Sequence, residues 1–355
     1  MQAYIDLLRD LMACRSVTRD VLAVNQAQAK MRSFLEGNGI PCTVENIGGR
    51  DVVYATTGSG KVSDVLLNAH LDVVPPNTPE DHVLKIDGSK LIGRGTDDCL
   101  GSAISIAKIL IDLKGKADVS AFFSADEETG GLTTKGMVER GYSARKIAII
   151  VDAGAFSVSI AQKGILVLRL KATGVGGHSS VPWAKDNPID KLVDGYLRFR
   201  NAWPWHPSAE DQWHNSMTPC IITGGFAENQ IPDTAEMVIN IRYTEDADEQ
   251  TIINLAKETT GLEILEARSC KPMYSDESSP MIRRLKDAIQ TAFPDKQVTF
   301  RRMNGATDAR HMRSMGIPVA MIGINGGGAH AANEWLDLEN AKQYIRLLED
   351  YILKL

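Results

Sequence analysis

Val65-Leu-Leu-Asn-Ala-His-Leu-Asp72 is an apolar run that ends on an imidazole, with a carboxylate two positions further on. A short, nearly unbroken apolar run bounded by turn residues reads as a strand buried on both faces, the kind found inside a parallel sheet. Three more runs behave in the same way. Val119 to Ser124 leads into Asp126, Glu127 and Glu128; Ile147 to Val151 leads into Asp152; Pro318 to Ile324 leads through three glycines, Gly326 to Gly328, to His330. In an open α/β sheet the carboxyl ends of the strands form the ligand crevice, so residues far apart in sequence can converge there.

Outward from these runs, the first half alternates strand and helix patterns, which predicts an α/β domain with a mostly parallel central sheet. Helices are expected near the N-terminus and over Val21 to Gly37, and from Cys99 to Leu113 with Asp98 as N-cap. Thr43 to Asn46 and Val52 to Thr56 complete the early strands. From about Gly164 the texture changes: Ile165 to Ala172 and Glu236 to Tyr243 alternate apolar with polar residues, as strands covered on one face do. A helix over Pro188 to Phe199 and an aromatic stretch with Trp203, Trp205 and Trp213 lie between them. Helix and strand patterns then return in Met281 to Phe293, Pro318 to Ile324 and a final helix from Leu338. The organisation expected is a catalytic domain of residues 1–163 and 273–355, with a smaller α+β domain, 164–272, inserted into it.

The chain has 355 residues, a formal net charge of -6 and five cysteines. An acidic balance without a basic stripe argues against a nucleic-acid platform. Cys14, Cys42, Cys99, Cys220 and Cys270 are scattered and never spaced C-x-x-C, so neither a disulfide framework nor a thiolate zinc site follows. No apolar run approaches the roughly 20 residues of a membrane helix, and the N-terminus reads as an amphipathic helix rather than a secretion signal. The expectation is a cytoplasmic protein with no nucleic-acid or membrane partner.

The strand-end donors are two imidazoles and several carboxylates without sulfur, a set suited to zinc, cobalt or manganese. Carboxylates crowded into one crevice repel one another unless cations neutralise them. Asp98 can join the set, Asp72 can steady His70 or an ion, and the adjacent Glu127 and Glu128 diverge, which suits one ligand and one base. Taken singly, an Asp-Glu-Glu at a strand end is commonly a solvated turn and an H-x-D a satisfied polar pair. Five segments offering ligands at strand ends is a different matter.

The motifs His70-Leu-Asp-Val-Val-Pro75, Gly93-Arg-Gly-Thr-Asp-Asp-Cys-Leu-Gly101, Asp126-Glu-Glu-Thr-Gly130, Val151-Asp-Ala-Gly154, Gly177-His-Ser-Ser180, Thr307-Asp-Ala-Arg310 and Gly328-Ala-His-Ala-Ala-Asn-Glu334 resemble, in content and order, those of metallopeptidase family 20. That family includes aminoacylase, acetylornithine deacetylase, succinyl-diaminopimelate desuccinylase, carboxypeptidase G and carnosinase-type dipeptidases. The resemblance spans about His70 to Glu334 and implies a zinc-exopeptidase-like catalytic domain with an inserted lid that commonly also makes a homodimer.

It further implies two divalent ions, zinc before cobalt or manganese. Asp98 would bridge them, His70 and Asp152 would complete one shell, and Glu128 and His330 the other. Glu127 would be the general base and Asp72 would orient His70. His178 on the lid resembles the histidine that stabilises the oxyanion, often in a neighbouring subunit's site. Asn229 and Arg310 resemble substrate-holding positions, Arg310 by a carboxylate. Leu100 stands where the family usually has Lys, and Asp152 where deacylases usually have Glu, which tilts the expectation toward peptides. The activity implied is hydrolysis of a peptide or N-acyl amide bond in a small carboxylate-bearing substrate. The alternatives are a biosynthetic deacylase acting on acetylornithine or succinyl-diaminopimelate, and a non-catalytic metal- or peptide-binding protein. A cysteine hydrolase built on Cys99 is the rival from another chemistry, since a helix N-terminus can lower a thiol pKa.

Overall fold

Side chains of Val119–Ser124, Val62–His70, Ser143–Val151 and Val319–Ile322 are buried almost throughout, because these four strands pair in parallel at the centre of one sheet. The computed structural model describes residues 1–355. Cys42–Ile47 and Arg50–Thr56 extend the sheet antiparallel on one side, and Ser157–Gln162 follows Val319–Ile322 on the other. The result is an α/β fold with a mostly parallel central sheet.

Register places the chemistry. His70 is opposite Ser124, and Ile322 is opposite Val151. Four strands therefore release their chains at one edge, where His70, the turn at 126–128, Asp152 and the loop to His330 begin. The helices Gln2–Ala13, Val21–Gly37, Leu100–Asp112, Pro280–Ala292 and Leu338–Leu353 contribute to one apolar core with the sheet. Asp20 caps Val21–Gly37 by accepting from Ala23 N–H at 3.0 Å.

The expected cap on Leu100–Asp112 differs. Cys99, not Asp98, is the N-cap, and it makes no side-chain cap bond. The Asp98 carboxylate is drawn to two imidazoles instead. Gly101 packs against the preceding loop so closely that a Cβ would come within 2.2 Å of the Thr96 carbonyl oxygen, so only glycine lets residues 95–98 fold back over the helix start.

The chain divides into two compact units, one of 1–160, 274–301 and 307–355, the other of 161–273 and 302–306. The second holds a four-stranded antiparallel sheet in the order Ser216–Gly224, Thr234–Tyr243, Gly164–Thr173, Glu263–Cys270. Leu166, Leu168, Leu170 and Ala172 alternate inward and pack with Ile239, Ile241 and the helices Pro188–Ala202 and Glu249–Thr260, as the period-2 pattern predicts. Trp203 belongs to this core and packs on Phe199 and Trp205.

Candidate metal centre

His70 ends its strand fully buried. Its Nδ1 lies 2.8 Å from the main-chain carbonyl of Asp72. A carbonyl only accepts, so Nδ1 carries a proton, which leaves Nε2 to donate to a carboxylate while the ring is charged and to offer its lone pair as a ligand once the ring is neutral. That Nε2 faces Asp98 Oδ1 at 2.8 Å. The other oxygen, Asp98 Oδ2, is 3.1 Å from His330 Nε2, which is also 3.1 Å from Glu128 Oε2. One carboxylate thus spans two imidazoles, one oxygen to each. His70, Asp98 and Glu128 offer ligand atoms within 4.8 Å of one another, as do His70, Cys99 and Asp152.

The electrostatics are those of a site short of positive charge. Burial, then the Asp152 carboxylate, push Glu127 up to about 9. Burial, then Asp98, push Asp152 up to about 7, and burial also raises Glu128. Asp98 moves the other way: burial opposes it, yet hydrogen bonds to His330 and His70 hold it below the usual carboxylate range. The buried Glu128 Oε1 has no hydrogen-bond partner. Imidazoles facing one carboxylate from both sides, an orphaned buried oxygen and mutually repelling carboxyls are what a donor set for hard or borderline divalent ions looks like, and the residues fit such ions.

Cys99 does not fit the rival chemistry. Its thiol is fully buried and donates to the Val151 carbonyl at 3.2 Å, and burial pushes its pKa well up, so it is a neutral thiol rather than a poised nucleophile.

Asp72 reaches His70 mainly through its carbonyl; its Oδ1 is 3.5 Å from Nδ1. The strand stops at His70, so the carboxylate swings to other partners. It accepts from Thr18 Oγ1 at 2.8 Å and from the N–H groups of Glu127 and Glu128 at 3.2 and 3.4 Å. Asp126 accepts from Leu132 and Thr133 N–H, each at 3.0 Å, at the start of the helix Leu132–Glu139. Glu127 and Glu128 are thus held from both sides, and they diverge: Glu128 turns to His330, and Glu127 Oε1 lies 3.6 Å from Arg310 Nη2. The Arg310 side chain is 6% exposed and also donates to the Glu127 carbonyl.

His178 and Asn229 lie in the second unit. Gly177–His178 pairs with Gln230–Ile231, and Ser179 N–H donates to the Asn229 carbonyl at 3.0 Å. His178 Nδ1 accepts from Ser180 N–H at 3.1 Å, which leaves the proton of the neutral ring on Nε2. His311, outside the motifs, is satisfied by the Gly130 carbonyl at 2.8 Å, and His214 by Asp211 at 2.7 Å.

Sequence reasoning missed one pair. Glu334 and Arg94, each 1% exposed, form an ion pair at 2.7 Å beneath the Asp98 loop. The available signal was weak: two opposite charges inside glycine-rich motifs of separate loops.

The family model described as peptidase family M20/M25/M40 matches residues 66–354. A Staphylococcus aureus protein described as a probable succinyl-diaminopimelate desuccinylase is 23% identical over 394 residues, covering 98% of this chain and 91% of that one. An M20 family metallo-carboxypeptidase from Sulfolobus solfataricus superposes with a TM-score of 0.77 at 15% identity over 99% of both chains. A dinuclear metal-binding peptidase of the same family from Bacillus subtilis gives 0.69 at 15% identity, over 100% of this chain and 99% of that one.

Proposed function

The chain belongs to peptidase family M20/M25/M40 and is a metal-dependent hydrolase; on that premise we propose that it cleaves a peptide or N-acyl amide bond in a small, carboxylate-bearing substrate with two divalent ions, zinc before cobalt or manganese. The observation that carries this reading is the Asp98 carboxylate, one oxygen against His70 and the other against His330, with Glu127 alongside. Asp98 would be the donor shared by the two ions, with His70 and Asp152 holding one and Glu128 and His330 the other. When bound, such ions acidify water and polarise a carbonyl.

Glu127 takes a proton from the attacking water and delivers it to the leaving amine. A carboxyl pushed up to about 9 by burial and Asp152 is protonated at neutral pH, so it becomes a base only when positive charge offsets that repulsion; Arg310 supplies part of it. Asp72 serves both players, holding His70 through its carbonyl and the Glu127 main chain through its carboxylate. His178, with its proton on Nε2, is a donor for the developing oxyanion. Arg310 and Asn229 anchor the substrate, Arg310 through its two-pronged fork.

The unit of 1–160, 274–301 and 307–355 is then the catalytic domain, and the unit of 161–273 and 302–306 the lid and dimerisation domain. An edge supports the homodimer. Ser216–Gly224 is the outermost strand of its sheet, and Ile221 and Ile222 on it are 54% and 58% exposed; unpaired apolar edges are templates for pairing. A strictly monomeric solution mass would remove that support.

Asp152 favours peptides, and the likeness to a protein described as a desuccinylase keeps N-acyl amino acids as the second reading. Screening dipeptides against N-acetyl and N-succinyl amino acids, with zinc, cobalt or manganese added back, separates the two. If metal-loaded protein cleaves none of them, the proposal is wrong.

A further inference from the structure

Glu334 is a buried carboxylate with four donors on its two oxygens. Oε1 accepts from the main-chain N–H groups of Asp97 and Asp98, both at 2.9 Å. Oε2 accepts from Gly95 N–H at 2.9 Å and from Arg94 Nη1 at 2.7 Å. Its own carbonyl accepts from Gly93 N–H at 2.8 Å. Three backbone amides of one loop therefore converge on the side chain of another.

An arrangement of this kind is expensive. A buried ion pair commonly gains little over an apolar pair of the same volume, because both charges lose their hydration. Its value lies in what it holds in place. The loop that Glu334 clasps ends in Asp98. The loop that carries Glu334 also carries His330, four residues upstream, and in that loop His330 and Asn333 adopt φ of +63° and +60°. Side chains other than glycine persist in that region only where the surroundings fix them. His330 is itself 55% exposed, so it has little packing of its own to hold it.

We propose that Glu334 is a positioning residue for the metal centre: by clasping the Asp97 and Asp98 amides it locks the loop of the shared carboxylate to the loop of His330, and so sets the spacing of two ligands from opposite ends of the chain. Arg94 neutralises the clasp and does not form it. This rests on the reading of Asp98 and His330 as ligands. Supports behind metal ligands typically contribute 10–100-fold in affinity.

The test compares Glu334→Gln with wild type. An amide keeps the shape but must turn its NH2 toward main-chain N–H groups on one side, which breaks at least one bond of the clasp. Chelator-stripped protein is titrated with zinc and with cobalt, reading calorimetric affinity, stoichiometry and the cobalt visible spectrum, with circular dichroism as the check on folding. Wild type is expected to bind two ions; failure there would overturn the metal-centre reading rather than this one. Glu334→Gln is expected to bind 10–100-fold more weakly, with an altered cobalt spectrum. A folded Glu334→Gln with wild-type affinity and spectrum would overturn the proposal. If Glu334→Gln does not fold, Glu334→Asp, which keeps the charge but shortens the reach, is judged by the same two readouts. Arg94→Met leaves the amide clasp in place, so it is expected to lower Tm while changing affinity less than Glu334→Gln; the reverse order would also contradict the proposal.

Discussion

At the scale of single residues the site is organised by carboxylates with different tasks. Asp98 lies between two imidazoles that hold it charged, whereas Glu127 lies among carboxylates that hold it neutral until positive charge arrives. Glu127→Gln removes the proton acceptor and little else, so kcat is expected to fall by about 10²–10⁴-fold while metal affinity changes little, because Glu127 is not among the proposed ligands. An unchanged rate in that variant would remove Glu127 from the mechanism. The convergence of His70, Glu128 and His330 was legible in the sequence because each follows a strand end, and Asp98 could be added because it stands at the start of a helix beside them. The partners of Asp72 were not, since period-2 geometry holds only while the strand continues, and it stops at His70. Glu334 was also illegible: a glutamate in a glycine-rich loop reads as solvated until three amides are seen to face it.

Among the secondary-structure elements, the four central parallel strands fix where the donors emerge, and their apolar side chains hold the register. Ile149 lies fully buried in Ser143–Val151; Ile149→Ala is expected to cost roughly 2–5 kcal/mol in denaturant unfolding. A cost below about 1 kcal/mol would mean the site's frame tolerates a cavity that a packed sheet does not. On the second unit's edge strand, Ile222→Lys places a charge on the exposed Ser216–Gly224 edge, and sedimentation is expected to show a shift from dimer toward monomer with Tm nearly unchanged. A variant as dimeric as the parent would move the interface elsewhere. Continuous apolar runs and alternating runs were distinguishable from sequence because burial on two faces or one leaves different periods. The cap of Leu100–Asp112 was misread for a physical reason: Asp is a favoured N-cap, but at Asp98 two imidazoles outbid the helix amides.

Across the whole molecule, Asp72, Asp98, Glu127, Glu128 and Asp152 place five acids in one crevice of a chain whose net charge is -6. Two divalent cations would bring the formal total to about -2. This has a consequence for stability. Without metal, folded Glu127 and Asp152 keep protons up to about 9 and about 7, where the unfolded chain has already lost them. The folded state then binds more protons, so stability falls as pH rises above the ordinary carboxylate range. His330, raised chiefly by Asp98, acts with the same sign: its contribution is present below the unfolded histidine value and is lost as pH rises through the folded one. Metal-stripped protein is therefore expected to lose Tm steadily from pH 5 to pH 9, and added zinc to flatten that slope; a stripped-protein Tm that climbs over this range would contradict the assignment of the charges. The central claim is tested most directly by titrating chelator-stripped protein with zinc while following bound metal per chain and hydrolysis of the best dipeptide or N-acyl amino acid together. Two ions per chain, with activity absent in the stripped protein and rising with occupancy, is the predicted result. Full activity without metal, or no binding at all, would contradict it.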